Sequence, residues 1–223
     1  MGIIDDETMD TRTQTRIVVY DLLRRVFLHE PTVEFSRRLD ESNLLEELFE
    51  LPGIKKMHSC IQPILKSGDI DDAQQDFYQL FLGPRRLKAP PWESVYRSQL
   101  RLVNQESTAE VRCLYAQYGF QTEEGQLEDH FGTECDFLHR LCMMIKGSST
   151  EQIADLMKVQ KHFVSEHLVK WVPGFAMDIR HNARTPFFRG MGEFIDYWIW
   201  TEHYYLNEVV HGAGDSTQQK GRC

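Results

Sequence analysis

The chain has 223 residues, 41% hydrophobic and 26% charged, which is an ordinary composition for a globular protein and enough length for a sizeable core. Its 34 acidic and 25 basic residues give a net charge of −9, which argues against a nucleic-acid backbone or an anionic membrane as main partner and favours a basic one. The first residues are acidic, unlike a secretory signal, and no apolar run approaches the roughly 18 residues of a membrane span.

The cysteines point to a reducing compartment. Their number is odd, and no Cys-x-x-Cys pair occurs among them. We therefore interpret them as reduced thiols of a cytoplasmic protein and not as a disulfide framework or a zinc site. The five are Cys60, Cys113, Cys135, Cys142 and Cys223.

Apolar residues recur at helical spacing through the first third of the chain, and proline, glycine or capping residues separate the stretches. The predicted helices start near residues 11, 32, 42, 54 and 69. Pro63 lies within the fourth and is expected to kink or split it. The fifth ends at Gly83-Pro84.

Residues 77–96, the first motif segment, combine that helix end with a proline-rich loop and a cluster of aromatic residues. The loop contains Pro84, Pro90 and Pro91, and it is the longest irregular interior segment that we predict. Long loops with a fixed backbone often carry function. Tryptophan and tyrosine beyond the loop either pin it to the core or serve as anchors in a binding site. The side chains in question are Trp92, Glu93 and Tyr96.

Residues 124–134, the second motif segment, gather acidic groups around a histidine. We expect Glu128, Asp129 and His130 to open a helix, where the helix dipole favours carboxylates. Glu134 follows one turn later, so the cluster could hold a peptide guanidinium through charge-assisted hydrogen bonds. Position alone leaves two interpretations of His130 open: a core histidine bonded to a carboxylate, or a functional group.

The rest of the chain predicts further helices. Capping boxes at Ser107 and Ser148 open two of them, and Pro173-Gly174 is expected to end the second. Thr185-Pro186 opens the last helix, and a disordered tail is expected from Gly212. No strand, repeat or linker is evident, so residues 1–211 are predicted to form one all-α globular domain of nine to eleven helices.

Motifs for enzyme chemistry are weak. Asp136-x-x-His139 has the spacing of a helical di-iron site, but helical geometry turns Asp136 away from the core stripe toward solvent. The sequence contains neither a phosphate-binding glycine loop nor a nucleophile elbow. It therefore favours a helical binding module over an enzyme. A nucleotide-using or metal-dependent helical enzyme and a scaffold for a folded partner domain remain the alternatives.

The two motif segments resemble the TorD/DmsD family, the cytoplasmic chaperones of molybdenum-cofactor oxidoreductases. The resemblance covers about residues 15–210. One departure is Gln126-Leu127, where the family motif has Glu-Pro, which removes an acidic group and a rigid proline. The stretches that carry the resemblance are Phe77–Pro84, Ala89–Tyr96, Gln126–His130, Trp171–Phe175 and Thr185–Gly190.

This resemblance implies a TorD-like, non-enzymatic chaperone that binds the twin-arginine signal peptide, the apo form, or both, of a molybdopterin oxidoreductase. The client would be held in the cytoplasm until its cofactor is inserted, and only then exported by twin-arginine translocation, with anaerobic respiration as the expected setting. No resident cofactor is expected beyond weak guanine-nucleotide or molybdopterin contact, and the chain would be a monomer or a domain-swapped dimer.

For the peptide, an acidic cluster would take the arginines and an aromatic groove the apolar part. The expected acidic and histidine contacts are Glu93, Glu128, Asp129, His130 and Glu134. The expected aromatic contacts are Tyr78, Phe81, Trp92 and Tyr96. The residues expected to shape the loop are Gly83, Pro84, Pro90, Pro91 and Ser94.

Overall fold

The computed structural model describes the backbone of residues 6–84 and 86–219 and the side chains of residues 11–84 and 86–212. These residues form eleven α-helical segments and contain no strand, which confirms the prediction of an all-helical domain. The helices are α1 (Asp6–Leu28), α2 (Val33–Glu41), α3 (Leu44–Glu47), α4 (Ile54–Ser67), α5 (Asp71–Phe77), α6 (Glu93–Arg97), α7 (Glu106–Gln117), α8 (Phe131–Ile145), α9 (Thr150–Phe163), α10 (Val169–Asn182) and α11 (Pro186–Gln219).

Aromatic side chains join the central helices. Helix α1 packs along α8, and α11 packs on α4, α9 and α10. Phe27 of α1 meets Phe131 of α8 edge-to-face, with ring centroids 4.8 Å apart. The Phe27 ring also lies 5.4 Å from Phe81 and 5.5 Å from Phe175 of α10. Such offset and edge-to-face pairs contribute stability beyond the area they bury, so this cluster fixes the helices around it.

Two π-helical turns interrupt the α-helical pattern. The first covers Tyr78–Leu82 and continues α5, with the Gly83 N–H donating to the Tyr78 carbonyl at 2.7 Å. It directs Phe81 into the core and leaves Tyr78 exposed. The second covers Val164–Leu168 and joins α9 to α10 in one continuous rod. Each wide turn shifts the helical register, which simple periodicity does not anticipate.

Neither proline interrupts its helix. Helix α4 runs unbroken through Pro63, whose ring faces solvent. Helix α10 continues through Pro173-Gly174 as far as Asn182, so the helix end predicted there is wrong. Gly174 lies against Tyr96, where a Cβ atom would come within 3.3 Å of the ring. The glycine therefore serves close packing inside the helix and does not terminate it.

The two predicted capping boxes occur, but each begins one or two residues away from the predicted position. Helix α7 begins after Gln105, whose backbone N–H donates to Thr108 Oγ1 at 3.1 Å. Helix α9 begins after Ser149, which exchanges hydrogen bonds with Gln152. Both helices thus begin with a capping box, but the N-cap residues are Gln105 in place of Ser107 and Ser149 in place of Ser148.

The C-terminal helix is longer than expected. Disorder was predicted from Gly212, whereas α11 continues to Gln219; residues 220–223 lie outside the described part. Long as it is, α11 is not apolar enough to cross a membrane, and neither is any other helix in the described part of the chain.

A buried ion pair connects the two ends of the described chain. Arg16 of α1 is fully buried, and its Nε donates to Glu202 Oε2 of α11 at 2.6 Å. Tyr20 donates to the same oxygen at 2.9 Å, and Arg16 also reaches Gln160 Oε1 of α9 at 2.5 Å. The sequence did not predict this pair, because a lone arginine in an amphipathic helix suggests a surface position.

We expect Arg16→Met to lower the free energy of unfolding at pH 7 by about 3–5 kcal/mol, since it leaves the buried Glu202 carboxylate only the more distant, partly exposed Arg12 at 3.8 Å. The double variant Arg16→Met/Glu202→Met should recover most of that loss, because no charge is then buried alone. Urea unfolding followed by circular dichroism measures both. A single variant as stable as wild type would contradict this account.

Candidate functional site

The fold brings the two motif segments into direct contact. An isolated antiparallel bridge joins Trp92 to His130. The Glu93 N–H donates to the Asp129 carbonyl at 3.0 Å, and the Phe131 N–H donates to the Pro91 carbonyl at 2.8 Å. The rings of Trp92 and His130 meet edge-to-face at 5.7 Å. Segments more than thirty residues apart in the chain therefore form one unit.

Asp129 fixes the start of α6. Its carboxylate is fully buried, and Oδ2 accepts a hydrogen bond from the Ser94 N–H at 2.8 Å. A carboxylate that accepts from a free N–H at a helix start acts as a cap, here supplied by a different part of the chain. The side chain thus has a structural task in this conformation.

His130 caps the next helix. We predicted that Glu128–His130 would lie in the first turn of a helix, but α8 begins at Phe131 and His130 is its N-cap. His130 Nδ1 accepts from the Gly132 N–H at 3.1 Å. Burial lowers the pKa of His130 to about 4, so the imidazole is neutral near pH 7. The hydrogen bond goes to the backbone and not to a carboxylate.

Glu93 is buried between two partners. Its carboxylate lies 2.9 Å from His167 Nδ1 and accepts a hydrogen bond from Arg97 at 2.7 Å. The same Arg97 nitrogen lies 3.3 Å from Glu110 on α7. Glu93 therefore ties α6 to the π-helical turn of the α9–α10 rod.

Glu134 is the most unusual acid of the site, because both of its oxygens are buried and accept no well-formed hydrogen bond from any described residue. Burial first, and then the charges of Glu93 and Asp129, raise the pKa of Glu134 well above its usual range. The indole of Trp171 acts in the opposite direction. These effects favour the uncharged form of the Glu134 carboxyl, which makes it a poor acceptor for an arginine.

Glu128 alone of the four predicted acids reaches the surface. Arg112 of α7 holds it through two nitrogens, at 2.5 and 3.0 Å. This hydrogen bonding is the main cause of the lowered pKa of Glu128. The carboxylate is thus charged, but an arginine of the same chain already neutralises it.

The four aromatic residues do not share one surface. Phe81 belongs to the core, and Tyr78 is exposed and donates to Glu30 at 2.9 Å. The Tyr96 ring packs against Trp171 at 5.6 Å. Trp92 is half-buried and lines an open groove of about 500 Å³.

This groove, here called the Trp92 groove, is lined by both apolar and charged side chains. Sequence reasoning missed Asp178 and Arg101, although the apolar residues around Arg101 in a loop without helical pattern were a usable signal. The lining residues are Arg86, Leu87, Lys88, Pro90, Trp92, Val95, Arg101, Val103 and Asp178.

The loop residues have defined tasks. Gly83 ends the π-helical turn, and a Cβ atom there would lie 2.8 Å from the Tyr78 carbonyl oxygen. The Ala89 N–H donates to the Leu80 carbonyl at 3.0 Å, which returns the loop to that turn. Pro90 then lines the groove, while Pro84 is exposed at the outer bend.

Metal chemistry finds no support in the described residues, which contain no cluster of three or more metal-binding side chains. Asp136 pairs with Arg140 at 3.4 Å and with Arg24 at 3.7 Å. Its side chain is only 17% exposed, so it is more covered than predicted. The reason is that Arg24 of α1 lies over it.

Sequence comparisons relate this chain to a known family of proteins. The family model described as nitrate reductase delta subunit matches residues 50–177, which include both motif segments. The chain is 30% identical over 175 residues to the chaperone protein TorD of Aliivibrio salmonicida, covering 73% of this chain and 80% of that protein. It is 25% identical over 186 residues to a protein of Haemophilus influenzae named as a Tat proofreading chaperone, DmsD, covering 80% and 86%.

A solved structure from Archaeoglobus fulgidus, described as a redox enzyme maturation protein, aligns with 88% of this chain and 93% of its own at 16% identity and a TM-score of 0.46. The family match spans more than half of the chain, and the TorD match covers most of both proteins. This chain therefore belongs to the TorD family of chaperones, within the nitrate reductase delta subunit group.

Proposed function

We propose that this chaperone matures a molybdopterin oxidoreductase in the cytoplasm by binding its twin-arginine signal peptide, its apo form, or both until the cofactor is inserted. The observation that carries the proposal is the hydrogen-bonded joining of the two motif segments beside an open groove. The relatives named TorD and DmsD support it. An enzyme of the helical type is not favoured, because these relatives are chaperones.

The Trp92 groove suits the apolar part of such a peptide. Its lining includes Leu87, Trp92 and Val95, and Trp is favoured as an anchor because a broad apolar face carries a polar edge. A loop whose backbone is already fixed loses little entropy on binding. The groove therefore offers a prepared surface for an extended or helical apolar segment.

The acidic residues around the two joined segments divide into an inner group, which contains three of the predicted contacts, and an outer group that was not predicted. Glu93, Asp129 and Glu134 lie inside the domain, where they hold the groove in shape. Glu110 and Asp178 are more accessible and each pairs with an arginine of the chain itself. Arginines of a signal peptide would reach these outer carboxylates first. Direct contact with the inner group stays a prediction and would require the segments to open.

Two further points stay predictions. Cations at the groove rim, Arg86 and Lys88 among them, would suit weak contact with a guanine nucleotide or molybdopterin phosphate. The chain would act as a monomer or a domain-swapped dimer. A scaffold for a folded partner domain is the remaining alternative, and the peptide titration below separates it from the main proposal.

Calorimetric titration with a twin-arginine signal peptide should show specific binding that weakens when lysines replace both arginines, because lysine lacks the planar two-nitrogen fork. Binding should also weaken as salt rises, since a net charge of −9 attracts a basic peptide. Binding that ignores the lysine substitution would show a chaperone that recognises only the apolar segment. An absence of binding would favour recognition of the folded enzyme body.

Trp92→Ala should weaken peptide binding by roughly tenfold or more, the usual effect of truncating a central aromatic anchor. Trp200→Ala is the matched control, because Trp200 is also partly exposed but does not line the groove. Calorimetry measures the affinities, and circular dichroism checks that both variants keep their helices. Equal losses in the two variants would place the peptide elsewhere.

Glu134→Gln should change how stability depends on pH. The raised pKa of Glu134 means that the folded protein keeps a proton that the unfolded chain releases above its ordinary pKa of about 4.3. Wild-type stability should therefore fall with rising pH between that value and the folded pKa, by up to about 1.4 kcal/mol per pH unit from this group. Urea unfolding from pH 5 to 8 should show a shallower fall in the variant. Equal slopes would mean that Glu134 is ionised in the folded protein.

A further inference from the structure

The loop between α6 and α7, residues 98–105, exposes apolar side chains on both sides of one arginine. Leu100, Leu102 and Val103 are 77%, 49% and 44% exposed. Arg101 has a φ of +52°, in the left-handed region that a residue with a Cβ atom seldom adopts. The backbone of Arg101 does not favour this conformation by itself, so a contact made by its side chain must stabilise it.

The Arg101 guanidinium supplies that contact. Its carbon Cζ lies 5.0 Å from the centre of the Tyr96 ring, and its nitrogen NH2 lies 3.4 Å from Asp178 Oδ2. The Tyr96 hydroxyl donates to the same oxygen at 2.9 Å. An aromatic face joined to a carboxylate is a combination that recognises a planar guanidinium. Tyr96 on α6 and Asp178 on α10 thus form a preassembled arginine site.

The same loop forms one wall of the Trp92 groove. Arg101, Val103 and Asp178 line it together with Trp92. The segment Leu100-Arg-Leu-Val103 presents an arginine followed by apolar residues, which is the chemical pattern of the peptide assigned to this groove above. The loop therefore places a segment that resembles the signal peptide, an arginine followed by apolar residues, at the position where the peptide would bind.

We propose that Tyr96 and Asp178 form the site for a signal-peptide arginine, and that Arg101 occupies this site in the free protein and is displaced when the peptide binds. The inference rests on the proposed function. It adds a specific site for the peptide arginine, formed by Tyr96 and Asp178, and a residue of the same chain, Arg101, that competes for this site. The ligand it requires is a peptide guanidinium followed by apolar side chains.

The energetics allow such an exchange. The side chains of Arg101 and Asp178 are 46% and 27% exposed, and an ion pair so open to water contributes little net stability. An incoming arginine can replace it without breaking the core. Because only the fraction of molecules with Arg101 displaced can bind, the apparent affinity of wild type is lower than the intrinsic affinity of the site.

The test is a calorimetric titration of four proteins with one twin-arginine signal peptide at low salt: wild type, Arg101→Ala, Asp178→Asn and the double variant. Arg101→Ala should bind about 3- to 10-fold more tightly, since it removes the competitor. Asp178→Asn keeps an oxygen for the Tyr96 hydroxyl but loses the charge, so it should bind more weakly. In the double variant, the gain from Arg101→Ala should disappear.

Arg86→Ala is the charge-matched control, because it removes a cation from the rim of the same groove. If Arg101→Ala acted only by reducing the repulsion between the groove and the basic peptide, Arg86→Ala would raise the peptide affinity as much. That result would overturn the inference. Arg101→Lys keeps the charge but lacks the flat guanidinium. It should give a smaller gain in the same direction as Arg101→Ala, and it keeps the test decisive if the alanine variant unfolds.

The outcomes also separate the two proposals. If wild type binds the peptide and Arg101→Ala shows no gain, the internal competitor is excluded while the proposed function stands. If wild type fails to bind but Arg101→Ala binds, both proposals are supported. If neither protein binds, the proposed function fails and the inference fails with it.

Discussion

The functional region depends on a short set of hydrogen bonds between two chain segments that belong to no sheet. The backbone at Pro91–Glu93 pairs with the backbone at Asp129–Phe131, and the Asp129 carboxylate holds the Ser94 N–H. These groups lie in a largely buried region, where an unpaired donor or acceptor costs about 1–3 kcal/mol. Loss of one of these bonds would therefore weaken the contact between the two segments, because no sheet reinforces it.

Burial of the acidic groups gives this region two layers with different chemistry. In the inner layer, burial and then the charges of Glu93 and Asp129 raise the pKa of Glu134 and favour its uncharged form. The outer layer contains Asp178, whose carboxylate is open to water and to a competing cation. The inner layer maintains shape, and the exchange that we propose would take place in the outer layer. A chaperone needs both properties, since its ligand must bind specifically and must later be released.

Helical periodicity and motif content were sufficient to predict an all-helical domain and to select the two segments that meet at the groove. They could not show which acidic side chains face inward. A glutamate such as Glu93 or Glu134 usually lies on the surface, and only the packing of distant helices buries these two. The π-helical turn at Val164–Leu168 was equally hidden, since it adds one residue without an unusual composition. Asp178 was overlooked as an acceptor because its partner, Tyr96, lies on a helix more than eighty residues away in the chain.

The pairing of Arg16 with Glu202 has a consequence for how the protein is made. The two residues are separated by 186 positions, so the arginine leaves the ribosome long before its carboxylate has been translated. Until then, α1 carries a cation that its core position cannot accommodate without cost. Closure of this part of the core must therefore wait until α11 has been synthesised, and such long-range contacts also slow folding. The first helix of the described chain thus reaches its final packing only after α11 has emerged from the ribosome.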